Sequence, residues 1–179
     1  MPVMKCAMTT PIFFSYIDSP LGPLCACGDG HSMTGLYLPQ HQGWAGSDAD
    51  WQLADDRFSL VRDQLAEYFA GERQFFSLPL KFQGTPFQQR VWEELSTIPY
   101  GTTITYLQLA QRVGRAAASR AVGAANGRNP ISIIVPCHRV VGTSGKLTGY
   151  AGGLERKRWL LEWELSQRKK LQPIGGTLR

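Results

Sequence analysis

The chain has 179 residues, of which 43% are hydrophobic, enough for the core of one or two small domains. No apolar run approaches the ~18 residues of a membrane span, and residues 1–11 lack the basic and apolar regions of a signal peptide. We therefore expect a soluble, unprocessed cytoplasmic protein. The net charge of +5 is uneven, since residues 1–111 carry six Lys/Arg and eleven Asp/Glu, whereas residues 112–179 carry thirteen and three. Such a basic C-terminal part suits a polyanion such as nucleic acid or, about equally well, a plain solvated surface.

The four cysteines predict neither disulfides nor a metal site. Their spacing matches no disulfide framework and no paired CxxC zinc motif, and His31 and His41 stand at no recognised ligand spacing. A reducing compartment fits this pattern. The cysteines are Cys6, Cys25, Cys27 and Cys137.

The N-terminal half reads as short strands followed by a helix. Residues 12–38 alternate apolar runs with turn signals at 19–23 and 28–30, which predicts antiparallel strands. Residues 39–54 are polar and predict a loop. Residues 55–70 have apolar positions at helical spacing and stop before Gly71. The turn-rich stretch 83–86 then predicts a linker, with the domain boundary after residue 84.

The pattern beyond the linker is helical. A helix is predicted over residues 87–95, and Thr105 followed by Gln108 has the form of a capping box that begins a second helix. Gly114 ends that helix, and a third runs from about 117 to 127. Two short helices joined by a glycine-containing turn indicate a helix-turn-helix, a weak signal when taken alone.

The third of these helices has almost no bulky side chains. Arg120 is its one long residue among alanines, glycine and serine. This composition permits close helix packing in a core. It would also let the helix approach a minor groove about 6 Å wide, where Arg120 could enter the base stack.

Residues 129–140 place a Cys-His pair directly after a proline and an apolar stretch, which we predict to be a strand. A buried thiol normally keeps its proton and is inert. Cys137 becomes a nucleophile only if His138 accepts that proton, with a carboxylate orienting the ring. Neighbouring side chains of a strand point apart, so a bridging water is favoured over a direct bond. Packing alone also explains a buried Cys beside a His.

A glycine-rich loop at residues 149–153 surrounds Tyr150 and precedes a helix predicted over 154–165. Glycines let backbone donors approach a ligand, and Tyr150 could stack on a planar one. The loop therefore predicts a nucleobase pocket, and the alternative is a plain flexible turn. The helix carries Lys157 and the carboxylates available to orient His138, which are Glu155, Glu162 and Glu164.

Together these segments resemble the methylated-DNA–protein-cysteine methyltransferases, or O6-alkylguanine-DNA alkyltransferases. The string PCHRV at residues 136–140 is the signature of that family. Supporting matches occur in the same order along the chain: Thr105-Tyr106, RAVG at 120–123, Asn129-Pro130, GYAGG at 149–153 and WLL at 159–161. The resemblance covers residues 12–164, is strongest after Thr85, and is similar to bacterial stand-alone members.

The resemblance implies a catalytic role for four residues. Cys137 would accept the alkyl group irreversibly, in a single turnover, from O6-alkylguanine and also from O4-alkylthymine. Its proton would leave through a water, His138 and Glu164. Asn129 would brace the turn between the helix and the active site.

The resemblance also implies contacts with the base and with DNA. Tyr150 and Lys157 would assist the leaving oxygen. Tyr106 would push on the phosphate beside the target nucleotide, and Arg120 would fill the gap left by the everted base. The residues implied to contact guanine, several through their backbone, are Cys137, Val140, Ala151 and Gly152. The residues implied at the DNA surface are Tyr106, Ala118, Ser119, Arg120 and Arg128.

The implied fold is α/β. It has an N-terminal α/β domain with an antiparallel sheet (1–84, ribonuclease H-like), a mainly helical domain with a winged-helix-like helix-turn-helix (85–165) and a flexible basic tail (166–179). Some family members hold zinc in the N-terminal domain, but the ligands do not line up here, so we predict no metal and no cofactor. The expected partner is double-stranded DNA, bound in the minor groove by a monomer with base flipping, and no membrane. The alternatives are a Cys-His-Glu thiol hydrolase and a non-catalytic helix-turn-helix DNA-binding module.

Overall fold

The computed structural model describes residues 10–44, 46 and 50–171. The predictions that concern Cys6 and residues 172–179 lie outside this described part. No helix within it is long and apolar enough to cross a bilayer.

A four-stranded sheet forms the centre of the N-terminal half, in the order β3-β2-β1-β4. Its strands are β1 (Phe13–Ile17), β2 (Leu24–Gly28), β3 (Met33–Tyr37) and β4 (Gln52–Leu53). The pairs β1–β2 and β2–β3 are antiparallel, which confirms the prediction for residues 12–38, and β4 adds to β1 in parallel. The loop predicted over 39–54 is therefore wrong at its end. Two residues of strand are too short to produce a recognisable sequence pattern.

Helix α1 (Ser59–Ala70) follows a single 3-10 turn (Asp55–Phe58), so the helix that the apolar spacing predicted over residues 55–70 is present, with its first four residues in the 3-10 turn. Its buried face includes Val61, Leu65 and Tyr68. The helix ends at Gly71, whose φ of +82° lets its N–H bond the carbonyls of the last turn.

Four helices make up most of the C-terminal half: α2 (Pro86–Ser96), α3 (Tyr106–Arg112), α4 (Ser119–Gly127) and α5 (Leu154–Leu171). The predicted capping box at Thr105 is present, because its side chain accepts from the Gln108 N–H and the Gln108 side chain accepts from the Thr105 N–H. Helices α3 and α4 pack together across a turn in which Gly114 has a φ of +71°. This pair confirms the predicted helix-turn-helix. Trp92 of α2 supports it by donating to the Ala125 carbonyl at 2.9 Å.

A short parallel pairing joins the helix-turn-helix to the Cys137 segment. Strand β5 (Ile104–Thr105) directly precedes α3, and its partner β6 (Val140–Val141) directly follows a 3-10 turn (Cys137–Arg139). The start of α3 and the turn that carries Cys137 are therefore held side by side.

The strand predicted to lead into Cys137 is wrong. Leu36 of β3 makes two backbone bonds with this segment, to the Pro130 carbonyl (2.8 Å) and from the Ser132 N–H (3.0 Å), and there the pairing stops. The chain then turns through Ile133, whose φ is +71°. A β-branched residue adopts this conformation only where its surroundings impose it. Here Asn129 Nδ2 donates to the Val135 carbonyl at 2.8 Å and so closes the turn.

Helix α5 is longer than predicted and does not give way to a tail after residue 165. Its last turns are held by contacts, since Gln167 is buried and Arg168 donates to the Gly101 carbonyl at 3.1 Å. Gly71 and Gly101 make room for them. A Cβ on Gly71 would lie 2.6 Å from the Gln167 side chain, and one on Gly101 would lie 3.1 Å from that of Arg168.

Candidate active site and nucleic-acid interface

Cys137 lies at the start of its 3-10 turn with only 4% of its surface exposed. Asn129 Nδ2 donates to its Sγ at 3.1 Å, and Asn126 Nδ2, from the last turn of α4, donates to its carbonyl at 3.4 Å. Burial raises the pKa of the Cys137 thiol, while the Asn129 bond and the Lys157 charge oppose that shift. The resting side chain is thus a thiol whose anion already has two stabilising neighbours.

His138 and Glu164 form a fully buried pair, with 2.8 Å between Nε2 and Oε1. A carboxylate only accepts hydrogen bonds, so Nε2 carries the proton and Nδ1 of the neutral ring keeps its lone pair. That Nδ1 has no hydrogen-bond partner among the described residues. Burial lowers the pKa of His138, and the nearby Glu164 opposes this effect. A neutral imidazole with an open acceptor can serve as a base.

Two residues that the sequence interpretation missed complete the surroundings of Glu164. Arg139 donates to both carboxylate oxygens, from Nε to Oε2 at 2.9 Å and from Nη2 to Oε1 at 2.8 Å. Tyr68 donates to Oε1 at 2.8 Å. Burial alone would raise the pKa of Glu164, but His138 and Arg139 hold it well below its usual range. Arg139 could have been found as the one charge in an apolar stretch. Tyr68 reads only as a core position of α1.

Tyr150 and Lys157, predicted to assist the leaving group, are both buried close to Cys137. Lys157 Nζ donates to the Thr148 carbonyl at 2.8 Å, and burial lowers the pKa of Lys157 to about 8. The Tyr150 hydroxyl has no hydrogen-bond partner in the described part of the chain, and burial raises its pKa well above the usual value. The buried residues also include Val140, Ala151 and Gly152. The Cys137 carbonyl already accepts from Val140 and Asn126, so a contact with guanine would compete with these bonds.

A cleft of about 360 Å³ separates α4 from the glycine-rich loop. Tyr106 spans it, donating to the Thr148 carbonyl at 2.9 Å, which is also the carbonyl that Lys157 binds. The side of the cleft formed by Thr148 therefore lies against Lys157. Its lining residues are Tyr106, Ser119, Arg120, Gly123, Thr148 and Gly149. Ala118 and Arg128, predicted at the DNA surface, are not among the described residues that line it.

Within residues 10–44, 46 and 50–171, no three His, Cys, Asp or Glu side chains group as metal ligands would. Cys25 and Cys27 are free buried thiols of β2. The absence of a metal from the reaction stays a prediction.

The helix-turn-helix and the buried Cys-His-Glu cluster define a class of protein that carries a nucleophile within a DNA-binding fold. Comparison with known families gives the same result. Residues 12–82 match the ribonuclease-like domain of 6-O-methylguanine DNA methyltransferase, and residues 86–166 match its DNA-binding domain. The chain belongs to this family.

Similar proteins include curated relatives from bacteria and archaea, each named methylated-DNA–protein-cysteine methyltransferase. The one from Mycobacterium tuberculosis is 53% identical over 87% of this chain and 94% of its own length. The one from Methanosarcina acetivorans is 44% identical over 86% and 98%. The crystal structure of M. tuberculosis OGT in complex with DNA has a TM-score of 0.82 at 52% identity and covers 87% of this chain and 94% of that one.

Proposed function

We propose that this chain repairs alkylated double-stranded DNA by direct reversal, moving a methyl or other alkyl group from O6 of guanine to Cys137 Sγ. Its family membership and the DNA-bound relative support DNA as the substrate. The observation that carries the proposal is the buried thiol of Cys137, which accepts from Asn129 and is influenced by the Lys157 charge. It lies in a turn whose next residue, His138, pairs with Glu164 of α5. O4-alkylthymine, with a similar alkyl ether, is a second proposed substrate.

The thiol is activated by proton transfer to His138. Since no described hydrogen bond joins Cys137 Sγ directly to the imidazole, a water passes the proton to the open Nδ1. Glu164 fixes the tautomer and stabilises the imidazolium that results. The thiolate is stabilised by the Asn129 amide and the Lys157 charge.

The thiolate then attacks the saturated alkyl carbon. A carbon–sulfur bond forms while the carbon–O6 bond breaks, and its electron pair passes to the guanine, which takes a proton from Tyr150 or Lys157. The product is a thioether without an activated carbonyl, so water cannot regenerate the thiol as it regenerates a thioester enzyme. Each molecule therefore acts once.

The target base must leave the stack, because a buried thiol cannot reach O6 inside a duplex. We propose that α4 enters the minor groove, that Arg120 fills the space of the everted nucleotide, and that the cleft beside Tyr106 admits the base. The exposed small residues of α4 allow a close approach. Monomeric action and a cytoplasmic location complete the proposal.

Mass spectrometry of the intact protein tests this function. After incubation with duplex DNA that bears O6-methylguanine, we expect one added methyl, located on Cys137, and no further reaction. Cys137→Ser should gain nothing, whereas Cys27→Ser, the same change at another buried thiol, should still react. Product released beyond one equivalent would instead indicate a thiol hydrolase. DNA binding by wild-type protein without any methyl transfer would indicate a non-catalytic module.

A further inference from the structure

Tyr68 connects the N-terminal half to the catalytic cluster. It lies on α1, is completely buried, and donates from its hydroxyl to Glu164 Oε1 at 2.8 Å across 96 residues of chain. The indole of Trp163, next to Glu164 on α5, donates in turn to the Tyr68 carbonyl at 3.3 Å. Two hydrogen bonds therefore join Tyr68 to α5, one from its hydroxyl and one to its carbonyl.

The Glu164 carboxylate accepts five hydrogen bonds, two at Oε2 and three at Oε1. Oε2 accepts from Arg139 Nε and, at 3.0 Å, from the Gly101 N–H. Oε1 accepts from His138 Nε2, Arg139 Nη2 and the Tyr68 hydroxyl, each at 2.8 Å. Tyr68 thus bonds the same oxygen that orients the imidazole. Among the described residues it is the only one of these donors that comes from the N-terminal half.

Packing alone does not explain the hydroxyl. The Tyr68 ring contacts other aromatic rings, including that of Tyr100 at 5.9 Å, and phenylalanine would fill this space equally well. A hydroxyl in a fully buried site is costly unless it is bonded. The Tyr100 hydroxyl, in the same aromatic cluster, has no hydrogen-bond partner within the described residues. The chain therefore offers two neighbouring tyrosines of which only one bonds Glu164.

We propose that Tyr68 is a positioning residue for alkyl transfer, through which the N-terminal half keeps the Glu164 carboxylate aligned with His138. This inference rests on the proposed function. It assigns part of the chemistry to the ribonuclease-like half, which also pairs through the Leu36 backbone with Pro130 and Ser132.

Removal of the phenol would change the acid–base behaviour of the pair as well as its geometry. With one donor fewer, the negative charge on Oε1 is less dispersed, which favours the imidazolium and raises the pKa of His138. The other ionisable groups that face the pair would be unchanged. They are Arg139, Lys157, Cys137, Tyr100 and Tyr150. The pH below which alkyl transfer declines should therefore move upward.

The test compares Tyr68→Phe with Tyr100→Phe, which removes the unbonded hydroxyl of the same cluster. The rate of methyl transfer from O6-methylguanine duplex is measured between pH 5 and pH 9 with folded protein, together with duplex affinity. Tyr68→Phe should react on the order of tenfold more slowly, a fraction of the 10²–10⁴ that a positioned base contributes. Its acid limb should shift upward and its duplex affinity should not change. Tyr100→Phe should behave like wild type.

If Tyr68→Phe does not fold, 3-fluorotyrosine at position 68 alone provides the opposite change. Its more acidic phenol is a stronger donor, so the acid limb should shift to lower pH. Equal rates and pH profiles for wild type, Tyr68→Phe and Tyr100→Phe would overturn the inference while leaving the proposed function intact. Where Tyr68→Phe does not fold, an unchanged pH profile with 3-fluorotyrosine at position 68 would overturn it. A wild-type protein that transfers no methyl group would instead overturn the function itself.

Discussion

The Glu164 carboxylate joins three separate parts of the chain. It binds α1 through Tyr68, the end of the α2–β5 loop through Gly101, and the Cys137 turn through His138 and Arg139. The pair with Arg139 is almost completely buried. Loss of one partner of such a pair leaves the other charge without compensation, a cost of about 3–5 kcal/mol. The same side chain therefore stabilises the fold and, in the proposed reaction, orients His138.

Stability should depend on pH through Glu164. Because its pKa is held below the unfolded value of about 4.3, its contribution is complete above that value and is lost as the pH falls further. We expect the free energy of unfolding in urea to decline from about pH 5 to pH 2 in wild type, and less steeply in Glu164→Gln. The latter should also be about 3–5 kcal/mol less stable at pH 7. Glu162→Gln, an exposed position of the same helix, should follow wild type. Identical pH slopes in all three proteins would show that Glu164 is not the responsible group.

Helix α4 has one face that is buried in the fold and an opposite, exposed face made largely of alanines. Asn126 and Val122 are buried, and Ala117, Ala121 and Ala124 are exposed along the turn before α4 and the helix itself. Exposed alanines favour the helix without adding bulk. The exposed alanines are thus not the residues through which α4 holds Cys137, since that contact comes from the buried Asn126.

Enlarging this outer face should block DNA without harming the fold. Ala121→Leu adds bulk at an exposed helical position, so the melting temperature should change little, whereas duplex affinity and the rate of methyl transfer from duplex should fall at least tenfold, equivalent to about 1.4 kcal/mol. Ala66→Leu makes the same change on the exposed face of α1 and serves as the control. Undiminished binding by Ala121→Leu would mean that α4 does not enter the groove.

The helices and antiparallel strands could be predicted because their patterns are local. The periodicity of α1, the Thr105 capping box and the glycine stops at Gly71 and Gly114 all lie within a few residues. The stretch before Cys137 was misassigned, because an apolar run looks the same whether it forms a strand or a buried irregular turn. The end of α5 was missed because Gln167 and Arg168 are polar and are held by glycines distant in sequence.

The candidate site was predictable in part for the same reason. The signature around Cys137 and His138 is contiguous, and few carboxylates were available in the region to orient the imidazole. Tyr68 could not be found, since no local pattern shows that a core position of α1 meets a carboxylate 96 residues later. Contacts between the two halves form only when the chain folds. A sequence pattern predicts such a contact only where one motif contains both residues.

The charge of the whole molecule is divided unevenly along the chain, with −5 on residues 1–111 and +10 on residues 112–179. Such a division orients the protein toward a polyanion before any specific contact forms. Capture of DNA and chemistry at the buried thiol should then respond differently to added salt.

Raising the salt concentration should weaken duplex binding strongly and leave the chemical step unchanged. Each phosphate contact contributes a slope of about −0.9 to a plot of log affinity against log salt, so a few contacts give a steep decline. Methyl transfer from free O6-methylguanine, which is uncharged, should be nearly independent of salt. Titrations of labelled duplex and mass measurements with the free base, each from 50 to 400 mM NaCl, test the separation. Parallel losses in both assays would contradict it.

Two glycines with positive φ, Gly71 and Gly101, lie against the end of α5 and also determine how far the chain can be shortened from its C-terminal side. Gly71 ends a helix of one half, Gly101 lies in a loop of the other, and Gln167 and Arg168 of one short segment rest against both. Gln167 and Arg168 therefore link the two halves at the end of α5. A chain that ended at residue 165 would keep every group of the proposed reaction but would lose the contacts of Gln167 and Arg168 with Gly71 and Gly101.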